Sequence, residues 1–160
     1  VYLERTLRDE YEPLIRSIFN STVPNVTALN GAAAGAGANL ALAADIVIAK
    51  SSAYFVQAFS KIGLIPDVGG TYFLPRAMGL AKSIGSSIFA DKIMAAEAHE
   101  IGLIYEYVED DNYDIHLKSR VEYLANGPTV AFAGIKTAMR KSLNNSLDEQ
   151  LELEAKLQKK

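Results

Sequence analysis

The chain has 160 residues, 49% of them hydrophobic, and a formal net charge of −3. That suits one domain with a sizeable core, and the scattered basic residues leave no electrostatic footprint for nucleic acid. No cysteine occurs, which excludes disulfides, thiol catalysis and Cys-ligated zinc and fits a reducing, cytoplasmic setting. No apolar run approaches the ~18 residues of a membrane span, so the Asn-x-Ser/Thr triplets at Asn20, Asn25 and Asn144 read as chance matches.

Val1 to Phe19 reads as a helix, with Leu3, Leu7, Tyr11, Leu14, Ile15 and Ile18 on one side. Pro13 should kink it or split it in two. No Met or cap precedes this helix, so the chain is expected to be a piece of a longer one. Val26 to Leu29 is a short strand, followed by a loop of very small residues. Gly35 to Ala44 is then predicted as a helix buried almost all round. Ile46 to Ala49 and Ala53 to Ala58 are apolar runs of strand type, and Gly69-Gly70-Thr71 begins a turn into Tyr72-Phe73-Leu74. Helices are expected over Leu80 to Ala90 and Ala95 to Ile101, and a strand over Leu103 to Val108.

From Asn112 onward no strand signal remains. Asp114 to Asn126 is amphipathic through Ile115, Val121 and Leu124, Gly127-Pro128 breaks it, and Thr129 to Leu143 follows as a helix. Ser146 caps a last helix, with Glu149 placed for a capping box and an apolar stripe of Leu147, Leu151 and Leu157. The chain therefore divides into a mixed strand-and-helix part, 1–111, and an all-helical part, 112–160.

The stretch Asn30-Gly-Ala-Ala-Ala-Gly-Ala-Gly-Ala-Asn39 can do no chemistry by side chain. Three readings are open. The first is a helix start where small residues let elements touch. The second is a dinucleotide fingerprint, but Leu40 stands after Gly35-x-Gly37-x-x and no ribose-binding acid follows at the expected distance. The third is an oxyanion hole of main-chain N–H groups, with Ala36 the donor at the helix start. Between Asn30 and Arg76 the only carboxylates are Asp45 and Asp67, and there is no His. Asp45, between a helix and a strand, reads as structural. Asp67 is a turn residue or, if this region holds a general base, that base. Its apolar neighbours Ile62, Leu64, Ile65 and Val68 should desolvate the carboxylate and raise its pKa. His99 and His116 sit among Glu and Lys as surface residues, and no metal-ligand spacing is present.

Tyr11-Glu-Pro-Leu-Ile, Ala28 to Asp45, Phe55 to Gly70 and Ala95-x-Glu-Ala-His-Glu-Ile-Gly-Leu103 resemble the enoyl-CoA hydratase/isomerase (crotonase) superfamily over essentially the whole chain. The resemblance implies an α/β crotonase fold, a spiral of β-β-α turns that is here incomplete at its N-terminus, with a C-terminal helical trimerisation region. It implies a homotrimer or dimer of trimers, no nucleic-acid or membrane partner, no metal and no separate cofactor, coenzyme A being part of the acyl-CoA substrate. The thioester carbonyl would lie between two backbone N–H groups, of which only the one matching Ala36 is in this chain. Ala34, Gly35, Asn39, Phe59, Ile62, Leu64 and Pro66 would surround the substrate. Lys50, Lys61 and Arg76 are nearby cations without an assigned contact.

Two departures from the family pattern carry information. Its hydratases hold the attacking water with two glutamates, and those positions here are Asn39 and Phe59. Asp67 instead occupies the place of the catalytic Asp of isomerases in the superfamily. The segment Gln57 to Asp67 most resembles the ring-1,2-epoxyphenylacetyl-CoA isomerases of bacterial phenylacetate degradation. The implied activity is acyl-CoA isomerisation through a thioester enolate. The alternatives are an enoyl-CoA hydratase, a lyase of fatty-acid β-oxidation, and a non-enzymatic crotonase-fold interaction protein.

Overall fold

The computed structural model describes residues 2–159. Its core is two small sheets with a helix threaded between them. Strands β1 (Val26–Leu29), β3 (Ile46–Lys50) and β6 (Glu106–Val108) form one sheet, with β3 central and parallel to both neighbours. A central parallel strand is covered on both faces, and β3 accordingly buries the unbroken run Val47-Ile48-Ala49. Strands β2 (Ala32–Ala34), β4 (Tyr54–Val56) and β5 (Ile93–Met94) form the other sheet. There β4 is parallel to β2 and antiparallel to β5. Helix α1 (Tyr2–Thr6), a π-helical turn (Leu7–Tyr11) and α2 (Glu12–Phe19) precede β1.

Helix α3 (Ala36–Leu42) joins β2 to β3 and buries Ala38, Asn39, Ala41 and Leu42. Alanines at 33, 38, 41, 49, 53, 95 and 98 fill much of the core cluster, with Phe55, Leu74 and Ile93 as its bulk. Small residues let backbones approach closely, and each fully buried large side chain adds about 1.5–3 kcal/mol. Helices α4 (Gly70–Met78), α5 (Leu80–Phe89) and α6 (Ala95–Glu100) pack around this core.

The first helix is interrupted ahead of Pro13, in line with the expected kink or split, and several later elements are corrected. Glu12 N–H bonds back to Leu7 C=O, five residues away, in the π turn just ahead of Pro13. The proline ring crowds the carbonyl four residues before it, and a wider turn relieves that. The small-residue loop contains β2, a strand made by pairing with β4 rather than by β-propensity. The run after Gly69 is helical, with Pro75 inside α4. The predicted 103–108 strand begins only at Glu106. Leu103 and Ile104 are buried in the turn before it.

From Tyr113 on, the described chain is helical: α7 (Tyr113–Asn126), α8 (Thr129–Ser142) and α9 (Leu147–Leu157). Tyr113 is the one buried residue of the three; its hydroxyl donates to Ile48 C=O at 3.0 Å, and burial pushes its pKa up to about 12. Asp45 anchors α8. Its carboxylate accepts Asn25 N–H (2.9 Å) and pairs with Lys136 (2.8 Å) and Arg140 (2.7 Å). Asp45 is thus structural, though its partners are distant in sequence rather than local. The capping box forms, with Ser146 Oγ accepting Glu149 N–H at 3.3 Å and Glu149 Oε2 accepting Ser146 N–H at 2.7 Å. His99 is exposed as expected, but His116 is half-buried against Glu106 (2.9 Å), which also takes two bonds from Arg120. That cluster pins α7 to β6.

Candidate active site

Helix α3 starts where it does because Gly35 takes φ 51° and ψ −124°, a conformation closed to side chains. Gly35 N–H donates to Val56 C=O (2.9 Å), tying the turn to the end of β4. The first bond within the helix runs from Asn39 N–H to Gly35 C=O (3.2 Å). The N–H groups of Ala36, Gly37 and Ala38 therefore have no intrahelical acceptor and point out of the positive helix end. Gly37 is exposed, and a Cβ there would meet nothing within 4 Å, so the space ahead of this turn is open. On the other side, the ring of buried Phe59 covers Gly35, 3.7 Å from where a Cβ would stand.

Asp67 is brought to the same helix turn by its main chain. Its carbonyl accepts Gly70 N–H (2.8 Å) and Asn39 Nδ2 (2.8 Å), and Asn39 Oδ1 in turn accepts Gln57 Nε2 (2.9 Å). Asn39 is completely buried and Gln57 nearly so. Gly70 is required for this approach, since a Cβ on it would lie 2.6 Å from Asn39 Cγ. Val68, immediately after Asp67, has φ 51° and is buried. A β-branched residue there is strained, at a cost of order 1–3 kcal/mol that the surrounding packing must offset.

On the Asp67 side chain, Oδ1 is buried without a partner among the described residues. Burial raises its pKa above the ordinary aspartate value, opposed only by a bond from its own backbone N–H. The expected apolar wall is only partly present. Ile62 and Ile65 are 73% and 76% exposed, Leu64 is exposed too, and only Val68 is buried. Gly63, left-handed at φ 74°, ends the 3-10 turn Ala58–Ile62 and turns the chain outward there.

Ala36, Asn39, Phe59 and Asp67 thus meet around one helical turn, with Gly35 beneath it, Ala34 exposed at the end of β2 and Pro66 half-buried before Asp67. Asn39 lies under the site rather than on its surface. Gln57 was not singled out in the sequence; no periodicity or motif spacing marks it, and only its bond to Asn39 does. Lys50 stands apart, 5.5 Å from the Tyr113 ring centroid, and Arg76 stacks at 3.7 Å on Tyr72. Lys61 is exposed on the 3-10 turn. A cavity of about 480 Å³ between α2 and the start of α4 reaches Val68 and Gly69. Another of the same size surrounds the Asp45 ion pairs, away from Asp67. Among the described residues no group of three or more His, Asp or Glu could hold a metal, and no helix is long and apolar enough to cross a membrane.

The two small sheets and the glycine-started helix belong to a crotonase-type fold, as solved structures of high similarity show. The sequence model of the enoyl-CoA hydratase/isomerase family matches residues 2–160, and the chain belongs to that family. It is 54% identical over 156 residues to a Rhodobacter capsulatus protein named "Probable enoyl-CoA hydratase", covering 98% of this chain and 61% of that one. It is 45% identical over 149 residues to the 1,2-epoxyphenylacetyl-CoA isomerase of Escherichia coli, covering 93% and 57%. A solved Mycobacterium abscessus structure carrying the same family name superposes with TM-score 0.92 at 38% identity, covering 98% and 60%. A Thermobifida fusca protein solved in complex with acetoacetyl-CoA superposes with TM-score 0.90 at 28% identity, covering 98% and 61%. The chain therefore spans roughly three-fifths of the length of these relatives.

Proposed function

We propose that the protein is an acyl-CoA isomerase that moves a proton, and with it a double bond, through a thioester enolate. Asp67 removes a proton from a carbon near the thioester and returns it further along the acyl chain. A positioned base of this kind contributes about 10²–10⁴ in rate. The Ala36 N–H, at the open end of α3, donates to the thioester oxygen as charge develops, a donor worth about 10²–10³. The acyl-CoA complex of the Thermobifida fusca relative supports the substrate class. The name of the Escherichia coli relative supports a ring-epoxide acyl-CoA as one member of it. By the same resemblance, the helices from Tyr113 onward hold three copies together, or two such trimers.

One observation carries the isomerase reading. The two positions where family hydratases hold water are closed: Asn39 has both amide atoms engaged in the interior, and Phe59 is apolar and buried. The remaining carboxylate, Asp67, has an unpartnered oxygen and a raised pKa. A base without a held water favours internal proton transfer over addition. Hydration is the second reading, favoured by the name of the 54% identical relative. Hydration of a 2-enoyl-CoA and migration of its double bond should be assayed on one full-length preparation. Migration far faster than hydration is expected; hydration at the rate of an efficient enzyme would overturn the proposal.

A further inference from the structure

We propose that Gln57 is a positioning residue for Asp67, acting through the Asn39 amide. This rests on the reading of Asp67 as the base. The bonds form a chain with a fixed sense. The Asp67 carbonyl can only accept, so Asn39 must turn Nδ2 toward it, which leaves Oδ1 facing Gln57. Gln57 must then present Nε2, as it does at 2.9 Å. Neither amide can flip without setting oxygen against oxygen in a buried site, so the strand end that carries Gln57 fixes the turn that carries the base. Helix α3 supplies the link: Asn39 stands one turn after Ala36, so the same amide sets the distance between base and oxyanion donor.

The need for such a tether is visible in the turn. Val68 is held at φ 51°, and a strained turn persists only while its surroundings over-determine it. Gly70 leaves just enough room for Asn39 to reach the carbonyl. Gln57 Oε1 is buried with no partner, so this side chain is kept buried for the sake of its Nε2 bond. A glutamate at position 39, as in the family's hydratases, could not donate to the Asp67 carbonyl when ionised. The asparagine therefore converts a water-holding position into a support for the base.

The test uses Gln57→Met, which keeps the length and removes the donor, with Asn39→Asp as the stronger variant and Asp67→Asn as reference, all in the full-length protein. For Gln57→Met, kcat should fall about tenfold, the scale of one lost hydrogen bond expressed at the transition state. KM should change much less. The acid limb of the kcat/KM profile should move to lower pH, because a loosened turn lets the carboxylate reach water. A merely structural role would lower the active fraction without moving that limb. Unchanged kcat and an unmoved limb in Gln57→Met, with Asp67→Asn inactive, would overturn the tether and leave the base standing. Turnover retained by Asp67→Asn would instead remove the base reading itself. If Asn39→Asp fails to fold, Gln57→Met still decides the matter.

Discussion

The first turn of α3 and the helices α7 to α9 use the same kinds of residue in opposite ways. Around Ala36, burial serves placement: Asn39 is wholly enclosed with both amide atoms bonded, and Gly70 stands where any Cβ would collide with it. Along α7 to α9, large apolar side chains stay in the open, with Ile115 at 77%, Leu147 at 74% and Met139 at 69% exposure. The first region is tightly packed and should be brittle. The second leaves its apolar stripe exposed and should tolerate substitution. Substitution in the two regions should therefore be read out in different quantities: kinetics and melting for one, mass for the other.

The largest effect is expected at Asp67, the proposed base. Asp67→Asn should lower kcat by about 10²–10⁴ with little change in KM. It should also raise the melting temperature slightly at neutral pH. A carboxyl whose folded pKa is raised favours folding only while protonated. That contribution is full below the ordinary aspartate value of ~3.9 and is lost as pH rises through the folded pKa. The stability gain of the variant should thus vanish in melts below about pH 4. Near-native turnover would make Asp67 a turn residue only.

Next comes the close approach under the site. Gly70→Ala should cost about 1–3 kcal/mol in denaturant unfolding, because its Cβ meets the Asn39 amide in a packed interior. Gly37→Ala, in the first turn of α3 and facing open space, should be neutral or stabilise by up to about 1 kcal/mol. Equal losses at both positions would erase the contrast. In the tail, Ser146→Ala should cost about 1 kcal/mol by removing the capping box, and the loss should appear as faster amide exchange confined to α9. The smallest effect on the folded chain is expected from Leu147→Glu with Leu151→Glu, within about 0.5 kcal/mol, since both side chains are exposed. Sedimentation of the full-length protein should nevertheless shift to smaller species. An unchanged distribution would show that this stripe is not a contact between copies.

Much of this was readable in the sequence, and the failures have physical reasons. The amphipathic helices and the buried strand β3 carry their own periodicity, so they were legible. Strand β2 is three alanines, and β5 is two residues long; both exist because β4 lies beside them. Helix α4 hides behind Gly69-Gly70 and contains Pro75, signals that locally mean a turn. Asp67 could be named as the candidate base by elimination, and Ala36 as a candidate donor by its place at a helix start. The apolar wall could not be judged, because one left-handed glycine at 63 decides which way Ile65 faces. Gln57 was invisible because its function is a single bond to a residue eighteen positions earlier.

The order of strands β1-β3-β6 also sets how the chain reaches this state. Ile48 pairs with Glu106, so this sheet cannot be finished until the chain has been made past Glu106. Parallel pairing across so long an interval closes slowly, since loop entropy is lost before any contact compensates it. Until then the edge of β3 stands open with Val47-Ile48-Ala49 beside it, a ready template for another chain. Yield from the ribosome should therefore depend on temperature and on holding chaperones more steeply than the stability of the finished fold suggests.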